Sequence, residues 1–140
     1  THPLRPLSEQ GMNDAITMAA FLRQANVTVS QVVHSGKLRA EETATVLAKA
    51  VWPGETAEAI DGIAPNDSTD HLLNSALTAG GDLMVVGHMP FMGRMAARCL
   101  TGSEDGASVA FEPGAVLCLE RNGEAWALDW FAKPSLLREG

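Results

Sequence analysis

The sequence predicts an α/β fold: three layers, α/β/α, around a mainly parallel sheet, with a β-hairpin at the end. Three observations predict it. Short β-branched runs alternate with longer stretches of helical spacing along the chain. An apolar run, Leu83 to Val86, passes through Gly87-His88 straight into Pro90 and a helical pattern, as a buried parallel strand feeding a helix would. Near the carboxyl end, Asn122-Gly123 separates two apolar stretches, a hairpin signal.

The elements follow in order. Residues 1–7 form an irregular, proline-marked opening. Ser8 reads as an N-cap, with Met12, Ala15, Ile16, Ala19 and Leu22 on one face of the first helix. Val27 to His34 reads as a strand, and Ala40, Thr43, Ala44, Leu47, Ala48 and Val51 as a second helical stripe ended by Pro53-Gly54. A short strand fits within residues 57–63, before a Pro65-Asn66-Asp67 loop. Asp67 or Ser68 then caps a third helix over Leu72, Leu73, Ala76 and Leu77, stopped by Gly80-Gly81. After the Leu83 strand, Pro90 takes the first helical position. Phe91, Met92, Met95, Ala96, Cys99 and Leu100 recur at helical spacing until about Gly102. Val116 to Glu120 and Ala125 to Phe131 flank the hairpin turn. The first regular element is a helix, whereas folds of this kind begin with a central strand. The expectation is a single domain over residues 1–140 that lacks its first central strand.

A chain of 140 residues, 46% of them hydrophobic, has enough apolar material for one substantial core. Its net charge of −7 argues against nucleic acid or an anionic membrane as partner. No apolar run approaches the ~20 residues of a membrane span, and no signal peptide opens the chain. Cys99 and Cys118 lack metal-type spacing and read as buried thiols of a reducing compartment, which makes the expected location cytoplasmic. In so acidic a chain, any positive group at a strand end carries weight.

Two strand-to-helix junctions hold such groups. His88 falls at the carboxyl end of one strand, facing the amino end of a helix, where α/β sheets bind ligands and free N–H groups favour an anion. It can donate to a phosphoryl oxygen, or serve as a core histidine bonded to backbone. Arg39 lies in or just before the first turn of the second helix. Its fork of donors can hold two phosphate oxygens, or pair with Glu41 or Glu42. Asp67 sits in a loop at the same face, as a general acid or as a cap. Ser35 has no nucleophile-elbow pattern around it. His34 borders the Ser35 loop and reads as structural, His71 should face solvent, and His2 has no partner that spacing identifies. The scattered histidines show no metal-ligand spacing.

Three segments, in order, carry a resemblance: Arg5-Pro-Leu-Ser-Glu-Gln-Gly11, Ser35-Gly-Lys-Leu-Arg-Ala-Glu-Glu-Thr43 and Val85-Val-Gly-His-Met-Pro90. They are similar to the histidine phosphatase (phosphoglycerate-mutase-like) superfamily, most of all its small SixA-type phosphohistidine phosphatase branch, over essentially the whole chain. The resemblance implies a metal-independent phosphatase, without organic cofactor, working through a phosphohistidine enzyme intermediate. Arg39 then matches the arginine that clamps phosphate, His88 the second histidine that contacts the phosphoryl group, and Ser35 the serine that shapes the pocket. The family's nucleophilic histidine stands in an Arg-His-Gly segment on the first central strand, and no Arg-His-Gly occurs in these 140 residues. The implied partners are a protein carrying phosphohistidine or a small phosphorylated substrate. Two further readings stay open: a small-molecule phosphomonoesterase, and a noncatalytic relative that binds phosphate or protein.

Overall fold

The computed structural model describes residues 5–138. Three strands, β1 (Gln31–His34), β2 (Glu58–Ala59) and β3 (Leu83–Val86), form a parallel sheet in the order β2-β1-β3. Strands β4 (Val116–Asn122) and β5 (Ala125–Ala132) form a separate antiparallel hairpin sheet. The helices are α1 (Glu9–Gln24), α2 (Leu38–Val51), α3 (Asp70–Thr78), α4 (Phe91–Thr101) and a short α5 (Pro134–Leu137).

The three-layer expectation holds, and strand alternation explains it. Val32, Met84 and Val86 point to one face of the parallel sheet, where Met18 and Leu22 of α1 and Ala44, Leu47, Ala48 and Val51 of α2 cover them. Val85 points the other way, into Ile63, Leu72 of α3, and Phe91 and Met95 of α4. Phe91, Met18 and Leu22 are fully buried, each stabilising the fold by roughly 1.5–3 kcal/mol relative to exposure. The hairpin joins the first of these cores through Val116, Trp130 and Ala132, with Trp130 edge-on to Phe21 at 6.1 Å.

Local chemistry sets several boundaries. The Ser8 hydroxyl accepts from the Gly11 N–H at 3.0 Å, the cap expected of it. On α1, however, Ile16 is exposed and Asp14 is buried. Asp14 tolerates this because Arg138 donates to both its oxygens, at 3.0 and 2.9 Å, and Gln10 donates at 2.8 Å. The Arg138 hydrogen bond holds the Asp14 carboxyl below its usual pKa, against the opposing effect of burial.

Strand β1 is shorter than the residues 27–34 expected. The Val29 and Ser30 amides donate to the Val51 and Asp82 carbonyls instead, outside the β1 ladder. Strand β2 shrinks likewise to two residues. The cap of α3 is Thr69, not Asp67 or Ser68. The Ser68 hydroxyl accepts from the Asp70 N–H at 3.2 Å, while Asp67 is spent on a turn of its own. Pro90 is the N-cap of α4 rather than its first residue, and Gly102 ends that helix in the left-handed region. The hairpin turns one residue later than expected. Asn122 pairs with Ala125, leaving Gly123-Glu124 as the loop. Only Gly123 of those two has positive φ, a type II′ arrangement. Cys99 and Cys118 are free and half-buried rather than buried, and burial pushes the Cys99 thiol up to about 11. No helix among the described residues is long and apolar enough to cross a membrane.

Candidate functional site

β1 and β3 run parallel in register, with His34 opposite Val86 at their carboxyl ends. The next residue after β1 is Ser35, and the second after β3 is His88. Level strand ends therefore bring these two side chains together. The Ser35 Oγ and the His88 Nε2 stand 2.5 Å apart, across 53 positions of sequence. Beyond Ser35 the chain turns at Gly36, whose φ of +88° lies in the left-handed region that favours glycine. The Lys37 N–H reaches back to the Ser35 Oγ at 3.4 Å. α2 begins at Leu38, so Arg39 sits in its first turn, and the Arg39 Nη1 is closed off from solvent. The amino end of α2 adds its own positive partial charge to the same corner.

Electrostatics ties the two junctions together. His88 is held down to a pKa of about 4, first by burial and then by the positive charges of Arg39 and Lys37. At neutral pH the ring is therefore uncharged. It can accept the Ser35 O–H or donate to the Ser35 oxygen, depending on the tautomer. On the far side, the Met92 N–H donates to the His88 carbonyl at 2.9 Å, fixing His88 to the start of α4. A half-buried neutral imidazole beside two cations and a hydroxyl can receive an anion. The anion would relieve the repulsion from Arg39 and Lys37 that adds to burial in keeping the ring uncharged.

The other expected residues fall out as follows. Asp67 closes the Ala64–Asp67 turn, its Oδ2 accepting from the Ala64 N–H at 2.9 Å. His71 is exposed, packed over Gly62. His34 is buried, with its Nδ1 accepting from the Gly36 N–H at 3.0 Å. His2 lies outside the described residues. Among the described residues, no cluster of three His, Cys, Asp or Glu could hold a metal ion.

Sequence reading passed over Lys37, which acts on His88 through space, a relation that spacing alone does not carry. Away from that pair, Thr69, Arg94 and Glu104 tie together the segments around Pro65 and α4. Glu104 accepts from the Thr69 N–H and hydroxyl at 3.1 and 2.6 Å and from Arg94 at 3.0 Å, and Arg94 also donates to the Pro65 carbonyl. These hydrogen bonds hold the Glu104 carboxyl down to about 2. Thr69 and Glu104 lie 35 positions apart, beyond the reach of local pattern.

Compared with solved structures, the chain superposes on the protein histidine phosphatase SixA in complex with tungstate. The TM-score is 0.84 at 23% identity, covering 99% of this chain and 90% of that one. This is the SixA fold. A SixA protein from Agrobacterium tumefaciens, assigned as a phosphohistidine phosphatase, matches with a TM-score of 0.77 at 20% identity, covering 96% of this chain and 86% of that one. No family model and no curated protein matches the sequence. At these identities the SixA likeness establishes the architecture, and the chemistry rests on the residues just described.

Proposed function

We propose that this chain handles phosphoryl groups as a histidine phosphatase, with protein phosphohistidine as the preferred substrate. One observation carries the reading: Ser35, Lys37 and Arg39 of the first junction converge on His88 of the second. In this reading Arg39 clamps two phosphoryl oxygens, His88 donates to a third as negative charge develops, and Ser35 keeps the His88 ring in place. The SixA structure with tungstate, an oxyanion of phosphate-like shape, supports an oxyanion site on this fold. Attack is assigned by resemblance to a histidine within Arg-His-Gly, a segment absent from these 140 residues. Asp67 is the candidate general acid of this reading.

Two assays test this. Tungstate should bind the chain in EDTA, measured by calorimetry. A form carrying an Arg-His-Gly strand ahead of residue 5 should release phosphate from a phosphohistidine peptide through an acid-labile phosphoenzyme, whereas the 140-residue chain should not turn over. An acid-stable label on the 140-residue chain would move attack to Ser35, and an acid-labile one to another histidine. A panel of small phosphomonoesters hydrolysed faster than the peptide would favour the small-molecule reading. A noncatalytic phosphate-binding relative predicts instead tungstate binding without turnover in either form.

A further inference from the structure

We infer that His34 is a positioning residue for the Ser35–His88 pair, which rests on the reading of that pair as the phosphoryl-contacting pocket. His34 ends β1 between the β2 and β3 ladders, is 2% exposed, and follows two buried valines, Val32 and Val33. An apolar residue would serve the core there equally well. The histidine instead spends one ring nitrogen on the loop it precedes, its Nδ1 accepting from the Gly36 N–H at 3.0 Å. An accepting Nδ1 has a lone pair, so the ring is neutral and carries its proton on Nε2.

That bond bridges Ser35. It closes a two-residue loop from a side chain to the backbone N–H two positions on, the geometry that Asn and Asp give to tight turns. The glycine it holds is exposed and has a φ of +88°, outside strand and helix, so the bond to the buried His34 ring is what ties its amide to the fold. With Gly36 fixed, the Lys37 N–H points back at the Ser35 Oγ, and that oxygen meets the His88 Nε2 at 2.5 Å. The order of control runs from the His34 ring through Gly36 to the Ser35 hydroxyl and then to His88. Nothing in the chain requires His34 to touch substrate. Its effect is to keep the pocket assembled before the anion arrives, so that no binding energy goes into ordering the loop.

The test compares His34→Leu, which removes the acceptor, with His34→Asn, which returns a carbonyl acceptor near the Nδ1 position. Val32→Ala serves as a core control on the same strand. Sulfate affinity by calorimetry, and ¹⁵N spectra of the His88 ring, are read on the folded 140-residue proteins. His34→Leu should weaken sulfate binding about five- to tenfold, the scale of one lost hydrogen bond, and shift the His88 Nε2 signal. His34→Asn should restore both, and Val32→Ala should leave both near wild type. Wild-type affinity in folded His34→Leu, an Asn variant no better than Leu, or an equal loss in Val32→Ala would overturn the inference. Should His34→Leu not fold, the wild-type spectrum decides: a His34 ring protonated at Nδ1 contradicts the proposed bond, and one protonated only at Nε2 supports it. If sulfate fails to bind the wild type, the phosphoryl reading falls, while the His88 signal still reports whether His34 positions the pair.

Discussion

Sulfate should bind this site more tightly in mild acid than at neutral pH, and the size of the effect follows from what depresses His88. In the free protein the ring titrates at about 4 instead of 6.5. Burial is the largest cause, and a bound anion does not remove it. The charges of Arg39 and Lys37 are the other two, and a dianion between them and the ring cancels both. Binding therefore raises the His88 pKa, and by linkage protonation favours binding. If half of the depression is recovered, affinity rises about 2.5-fold between pH 7 and pH 5. Sulfate suits the test because it stays a dianion across that range, so the titration observed belongs to the protein. Calorimetry in two buffers of different ionisation enthalpy also counts the protons taken up. His88→Asn should flatten the profile. A flat profile in the wild type, or no proton uptake at about pH 5, would refute the coupling of Arg39 and Lys37 to the ring.

Arg39→Ala should lose charge-assisted contacts worth roughly 1.5–3 kcal/mol each, and unchanged tungstate affinity would remove Arg39 from the clamp. Arg138→Gln should make the protein less sensitive to acid. Arg138 lowers the Asp14 pKa, so the stability that Asp14 contributes is present above its unfolded value and lost as the pH falls through the folded one. Urea midpoints of the two proteins should therefore converge on acidification. Phe91→Ala, at a fully buried side chain beneath the start of α4, should cost about 3–5 kcal/mol in urea unfolding and weaken oxyanion binding with it.

What the sequence revealed was what neighbouring residues decide among themselves. The Ser8 cap, the helical stripe of α4 and the glycine that ends it are written within a few positions, and so is the placing of His88 and Arg39 after strands. Where tertiary partners decide, local pattern failed. Residues 27–30 look like strand, yet the Val29 and Ser30 amides go to Val51 and Asp82, and nothing nearby signals it. Ile16 has the spacing of a core residue but lies on the surface, because Asp14 is drawn inward by Arg138, 124 positions away. Asp67 has the right chemistry for an acid or a cap, and a four-residue turn claims its carboxylate first. At the site itself, the residue types were legible and their joint geometry was not. Neither the left-handed turn at Gly36 nor the ring nitrogen of His34 that holds it can be read from composition or period.

The level ends of β1 and β3 carry a consequence for how such a chain can diverge. Ser35 and His88 meet because each follows its strand by a fixed short count from the paired His34 and Val86. Substitution within the strands leaves that count intact as long as the residues stay apolar and extended. A single inserted or deleted residue does not: side chains alternate from one face to the other, so His88 or Ser35 would swing to the opposite side of the sheet. The site thus constrains length far more tightly than identity. Random single-residue deletions should be tolerated in the α4–β4 connection and eliminated between positions 83 and 88. The fold itself is shared with structures that have only about a fifth of their residues in common with this chain.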